Sequence, residues 1–71
     1  MEEKQSLGDI ITNYIKKNKL TREQFAELIG VTSRAVRWYI DSIHAPSRAV
    51  LEKICQVTNT NIDLVTIKEG L

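Results

Sequence analysis

The sequence predicts an all-α fold, a compact bundle of five helices around one small core. Apolar residues recur at the three-and-four spacing of a helix in successive short runs, and each run is preceded by a side chain suited to cap a helix N-terminus. Glycine, asparagine and proline fall between the runs, where chains turn.

The first helix is expected to start at Ser6, its N-cap. Leu7, Ile10, Ile11, Tyr14 and Ile15 form its buried stripe. Lys16, Lys17 and Lys19 crowd its C-terminal end, where positive charge complements the helix dipole. A phosphate-contacting role for these lysines is the other reading. Thr21 and Gln24 have the spacing of a capping box, in which the Thr hydroxyl accepts from the Gln24 N–H and the Gln side chain reaches back. The second helix then buries Phe25, Leu28 and Ile29, with Ala26 small enough for a neighbouring helix to come close. Gly30 follows, where a helix end needs a left-handed backbone, and Val31 packs inward as the chain turns.

Thr32 is the expected N-cap of the third helix. Ala35, Val36 and Tyr39 fall on one side of it, with Ile40 at the margin. Ser33, Arg34, Arg37 and Asp41 fall on the other. Trp38 lies beside Arg34, on the flank of the exposed face. The segment from Asp41 to Arg48 reads as a loop whose Pro46 opens the next helix. Val50, Leu51, Ile54, Cys55 and Val57 make the fourth stripe, and Asn59 suits the left-handed position that ends it. Asn61 caps a last segment in which Ile62, Leu64, Val65 and Ile67 are apolar. This reads as a fifth helix ending near Lys68 or Glu69, although its alternation also suits a strand.

Seventy-one residues suffice for a single domain, expected over 1–71 with an ordered core of about 6–68. The single Cys55 excludes an internal disulfide and a cysteine-based zinc site, and its apolar surroundings indicate a buried, reduced thiol. No metal or cofactor is expected. No apolar run approaches a membrane span, and Met1-Glu2-Glu3-Lys4 leads into an amphipathic segment unlike a signal peptide, so a cytoplasmic location is expected. One His, one Cys and scattered carboxylates provide no nucleophile–base pair, which argues against an enzyme.

Net charge is only +1, but it is unevenly placed. Residues 1–30 hold five basic and five acidic side chains. Residues 31–48 hold Arg34, Arg37 and Arg48 against Asp41 alone, with His44 able to add charge near neutral pH. The positive excess therefore sits on the third helix and the loop after it. Two guanidiniums near a helix N-terminus suit phosphates and guanine edges. Two helices joined by a glycine turn, the second presenting such a face, have the plan of a helix-turn-helix.

The ordered set of these residues resembles the lambda-repressor/Cro family of prokaryotic and phage regulators, from Leu7 to about Val65. Leu7-Gly8 is similar to the family's opening of helix one. Leu20-Thr21 and Phe25-Ala26 match its Leu-Ser/Thr and apolar-Ala pairs, and Gly30-Val31-Thr32 matches its Gly-Val-Ser turn. Val36 and Tyr39 match two core residues of its recognition helix. Asp41-Ser42-Ile43-His44-Ala45-Pro46-Ser47 resembles its Asn-Gly-x-x-x-Pro-Ser loop. The chain departs from the pattern in three places. Ser42 replaces the usual loop glycine, Ile40 stands where many members carry Glu, and Thr58-Asn59-Thr60 replaces a Leu-Gly-Val type helix end.

The resemblance implies a lambda-repressor-like DNA-binding domain whose third helix reads the major groove. It implies that Arg22, Thr32, Ser33, Arg34 and Arg37 approach DNA; of these Ser33, Arg34 and Arg37 suit base contact, while Arg22 and Thr32, together with Thr21, Ser42 and His44, suit the DNA backbone. Asp41 repels phosphate and suits a pair with Arg37 one turn earlier. Ser47 and Arg48 suit either helix capping or DNA contact. Trp38 has three readings, against a DNA sugar or thymine methyl, in a subunit interface, or half-covered by the loop at Ile43. Ile43 and Ile67 also suit a partner. The implied function is a sequence-specific transcriptional regulator, a repressor of phage, plasmid or mobile-element type, acting as a homodimer on a palindromic double-stranded operator. The alternative is a protein-interaction module on the same fold, of antitoxin or antirepressor type, which low net charge and Trp38 motivate.

Overall fold

A computed structural model describes residues 5–66. A two-residue strand β1 (Gln5–Ser6) leads into helix α1 (Leu7–Asn18), followed by α2 (Arg22–Ile29), α3 (Ser33–Ile40) and α4 (Arg48–Thr58). A single 3₁₀ turn (Ile62–Leu64) and strand β2 (Val65–Thr66) complete the described chain. β1 and β2 pair in parallel, Gln5 with Val65 and Ser6 with Thr66.

The helix boundaries follow their capping chemistry. Ser6, Thr21, Thr32 and Ser47 each sit in extended backbone, and the side chain of each accepts from an N–H three residues on. The capping box at Thr21 is complete. Its hydroxyl accepts from the Gln24 N–H at 3.0 Å, and the Thr21 N–H donates to Gln24 Oε1 at 2.8 Å. Gly30 ends α2 at φ 76°, and Asn59 ends α4 at φ 55°, both left-handed. Lys19 ends α1 the same way at φ 54°, with the Leu20 N–H donating to the Ile15 carbonyl at 3.0 Å. Neither glycine nor asparagine marks that site, so turn chemistry did not announce it.

The core is assembled from all four helices. Ile11, Phe25, Val36 and Ile54 are fully buried, one from each helix, with Leu7, Ala26, Ile29, Leu51 and Cys55 around them. Tyr14 tilts against Phe25 with ring centroids 5.7 Å apart. The Cys55 thiol is free and buried, and burial pushes its pKa above the ordinary value despite the opposing pull of Arg48.

Two expectations are corrected. Leu28, expected in the core, is 45% exposed. The buried face of α2 is set by Phe25, Ala26 and Ile29, and Leu28 lies about 100° around the helix from its centre. The fifth helix is replaced by the 3₁₀ turn and β2, so the architecture has four α-helices among the described residues. The Asn61 side chain accepts from the Asp63 N–H at 3.0 Å, and the Leu64 N–H donates to the Asn61 carbonyl at 2.9 Å, which tightens the turn to three residues. Val65 and Thr66 are β-branched, and pairing with β1 satisfies backbone that a short helix end would leave open. The expected continuation through Ile67 to Lys68 or Glu69 lies outside the described residues.

Candidate nucleic-acid interface

α2 and α3 meet at a turn with two fixed points. The Val31 N–H donates to the Ala26 carbonyl at 3.0 Å across the left-handed Gly30, closing α2. Thr32 then opens α3, its hydroxyl accepting from the Ala35 N–H at 3.1 Å. Val36 is fully buried and Tyr39 and Ile40 pack on the core, which fixes the rotation of α3 about its axis. Arg34, Arg37, Trp38 and Asp41 consequently face outward.

The turn brings the N-terminal ends of both helices together. Arg22, Glu23, Ser33, Arg34 and Arg37 line one concavity between α2 and α3. Four of these five are residues that the sequence points to for DNA contact. Glu23 was not among them. It occupies the first turn of α2, where a carboxylate complements the dipole, and its place beside Arg22 is the only signal that could have found it. Ser33 is half-buried at the flank of α3, against the expectation of a fully outward position, because it lies on the side of the helix that turns toward α2.

Arg37 Nε lies 3.6 Å from Asp41 Oδ2, the pairing expected one turn apart. Both side chains are well exposed, so the pair adds little stability. Among the described residues Arg34 has no ion pair. Thr21 and Thr32 are exposed, and each hydroxyl oxygen accepts a capping N–H. Each still carries an O–H proton to donate.

Ser42, Ile43, His44 and Trp38 form a second group, at the C-terminal end of α3 and outside that concavity. Ser42 is half-buried and takes φ 60°, so the left-handed turn is kept without the glycine. The Ser42 N–H donates to the Tyr39 carbonyl at 3.4 Å and the Ile43 N–H to the Trp38 carbonyl at 2.9 Å, folding the loop back onto the helix. His44, exposed, meets Trp38 in a T-shaped contact with centroids 4.8 Å apart and an interplanar angle of 74°. The loop at Ile43 thus partly covers Trp38, one of the three readings of that residue, and does so through His44, while Ile43 itself is 50% exposed. Ser47 caps α4, accepting from the Val50 N–H at 3.3 Å, and Arg48 binds Glu52 at 3.1 Å. Both are explained by helix chemistry.

Among the described residues no group of three or more His, Cys, Asp or Glu side chains is arranged to hold a metal ion. No helix among them is long and apolar enough to cross a membrane. The family model described as helix-turn-helix matches residues 11–65, which contain all of α2, α3 and α4. No curated protein and no solved structure matches the chain.

Proposed function

The chain belongs to the lambda-repressor-like helix-turn-helix family of DNA-binding transcription regulators, and on that premise we propose that it reads a specific double-stranded operator with α3 in the major groove. The observation that carries this is the concavity that Arg22, Ser33, Arg34 and Arg37 line between the N-terminal ends of α2 and α3. Arg34 and Arg37 reach base edges, where a guanidinium pairs with guanine O6 and N7, and Ser33 contacts bases from the flank. Arg22, Thr21 and Thr32 hold phosphates beside them, and Ser42 and His44 hold the backbone at the far end of α3.

We infer that two copies bind a palindrome, with recognition helices about 34 Å apart in successive major grooves. The protein then acts as a regulator, in this reading a repressor of phage, plasmid or mobile-element type, by excluding or recruiting polymerase at the bound site. Selection of bound DNA from a random duplex pool tests this, because motif length and symmetry report reading and pairing together. Arg34→Ala and Arg37→Ala should each weaken binding of the selected duplex by about 1–3 kcal/mol with the helical signal unchanged. Equal affinity for both variants and the unaltered chain removes α3 from the role of reading element.

A second reading, a protein-binding module of antitoxin or antirepressor type, is favoured by the net charge of +1 and by exposed Trp38 and Ile43. Salt separates the two. Duplex affinity should fall steeply between about 50 and 200 mM salt if several phosphates are neutralised. Protein binding that ignores both salt and duplex supports the module.

A further inference from the structure

The chain has one tryptophan and one histidine, and the two are in contact beside α3. We propose that Trp38 is a specificity-determining residue that reads a thymine C5-methyl group, and that His44 positions its ring. This rests on the DNA reading above and names the base chemistry that the reading leaves open.

Three features of the fold support it. With Val36 buried, Trp38 lies about 40° around α3 from Arg34, while Arg37 lies about 60° to the other side. The indole therefore belongs to the same outward arc as the two guanidiniums, one turn further along the groove. It is also 36% exposed, in a position where nothing in the core requires it. That exposed part of the indole is apolar surface that a ligand can cover. Finally, its orientation is held. The Ile43 N–H bonds the Trp38 carbonyl at 2.9 Å, the loop returns through the left-handed Ser42, and the His44 ring stands edge-on to the indole at 4.8 Å. The imidazole covers part of the indole, and the exposed 36% of the residue is what a ligand can reach.

The chemistry of the groove then selects the partner. Base edges in the major groove present acceptors and donors, with a single apolar feature, the thymine methyl. An indole offers one N–H donor and a broad apolar surface. It discriminates poorly among hydrogen-bonding edges and well for a methyl. The arc thus divides into a guanidinium part suited to guanine and an indole part suited to thymine.

The test uses the selected duplex with each thymine replaced in turn by deoxyuridine, which removes the methyl alone. Burial of one methyl corresponds to about a fourfold change in affinity. The unaltered chain should lose about fourfold at one thymine per half-site, and Trp38→Ala should bind thymine and deoxyuridine duplexes alike at that position. His44→Ala should lower the thymine-to-deoxyuridine ratio, and His44→Phe, which keeps an edge-on ring, should restore it. Trp38, as the only tryptophan, should change its emission on duplex binding. The scan of the unaltered chain stands even if a variant fails to fold. A selected duplex with no deoxyuridine-sensitive position overturns the proposal while leaving the DNA reading intact. So does Trp38 emission that depends on protein concentration without DNA, which means that a second copy covers it. Failure to select any duplex removes the DNA reading, and this proposal with it.

Discussion

A methyl group on Gly8 would lie 2.5 Å from the Ile40 carbonyl oxygen, so the absence of a side chain there decides how close α1 comes to the end of α3. Ile40 is the last residue of α3, immediately before the loop that carries Ser42 and His44. Gly8→Ala gains about 0.5–1 kcal/mol of helix propensity but forces two backbones apart, at a cost of roughly 1–3 kcal/mol. The clash wins, and a lower Tm by several degrees is expected in thermal unfolding. A Tm at or above that of the unaltered chain would show that the helices can separate freely. Cys55 makes a different residue-scale prediction. Burial raises its pKa, so the folded chain holds the thiol proton more tightly than the unfolded chain does. The resulting stability is present below the ordinary thiol pKa of about 8.5 and is lost as pH rises through the folded value. Denaturant midpoints should decline across that alkaline range, and Cys55→Val should flatten the decline. Parallel pH profiles for the two proteins would remove the thiol as its source.

At the level of elements, the helices were legible where local chemistry acts alone. Thr21 and Gln24 form their two reciprocal bonds, and Ser6, Thr32, Ser47, Gly30 and Asn59 all occupy the caps that their side chains or backbones suit. Such caps depend only on neighbours three or four residues away. Thr21→Ala removes the acceptor for the Gln24 N–H and should destabilise the fold by about 1 kcal/mol. Because Thr21 opens the helix that braces α3, duplex affinity should fall as well. Chemical denaturation checks the first effect, and a variant as stable as the parent would mean that water replaces the cap at no cost. The last segment is ambiguous in sequence for the complementary reason. Ile62 to Val65 carries a pattern compatible with helix or strand, and its state was settled by β1, almost sixty residues away in sequence.

For the molecule as a whole, one core holds the interface in shape. Phe25 is fully buried in the core and tilts against Tyr14, so Phe25→Ala should cost about 3–5 kcal/mol. A small domain has little stability to spare, and this variant should lose helical signal and duplex binding together. Arg34→Ala, by contrast, should lose binding alone. Circular dichroism alongside the binding assay separates the two, and full helicity in Phe25→Ala would place the core elsewhere. The sequence by itself determined the four main helices, their caps, the Gly30 turn and the outward placement of Arg34 and Arg37. These follow from the 3.6-residue period and from short-range hydrogen bonding, which act along the chain. Only the tertiary structure decided that Leu28 stays exposed, that Ser33 turns to the flank, and that His44 covers Trp38. Each depends on which helix or loop arrives opposite. The Trp38–His44 contact needs Ser42 to hold a left-handed turn that its residue type disfavours, so the residue type does not mark the helix end that the Ser42 and Ile43 N–H bonds back to α3 close.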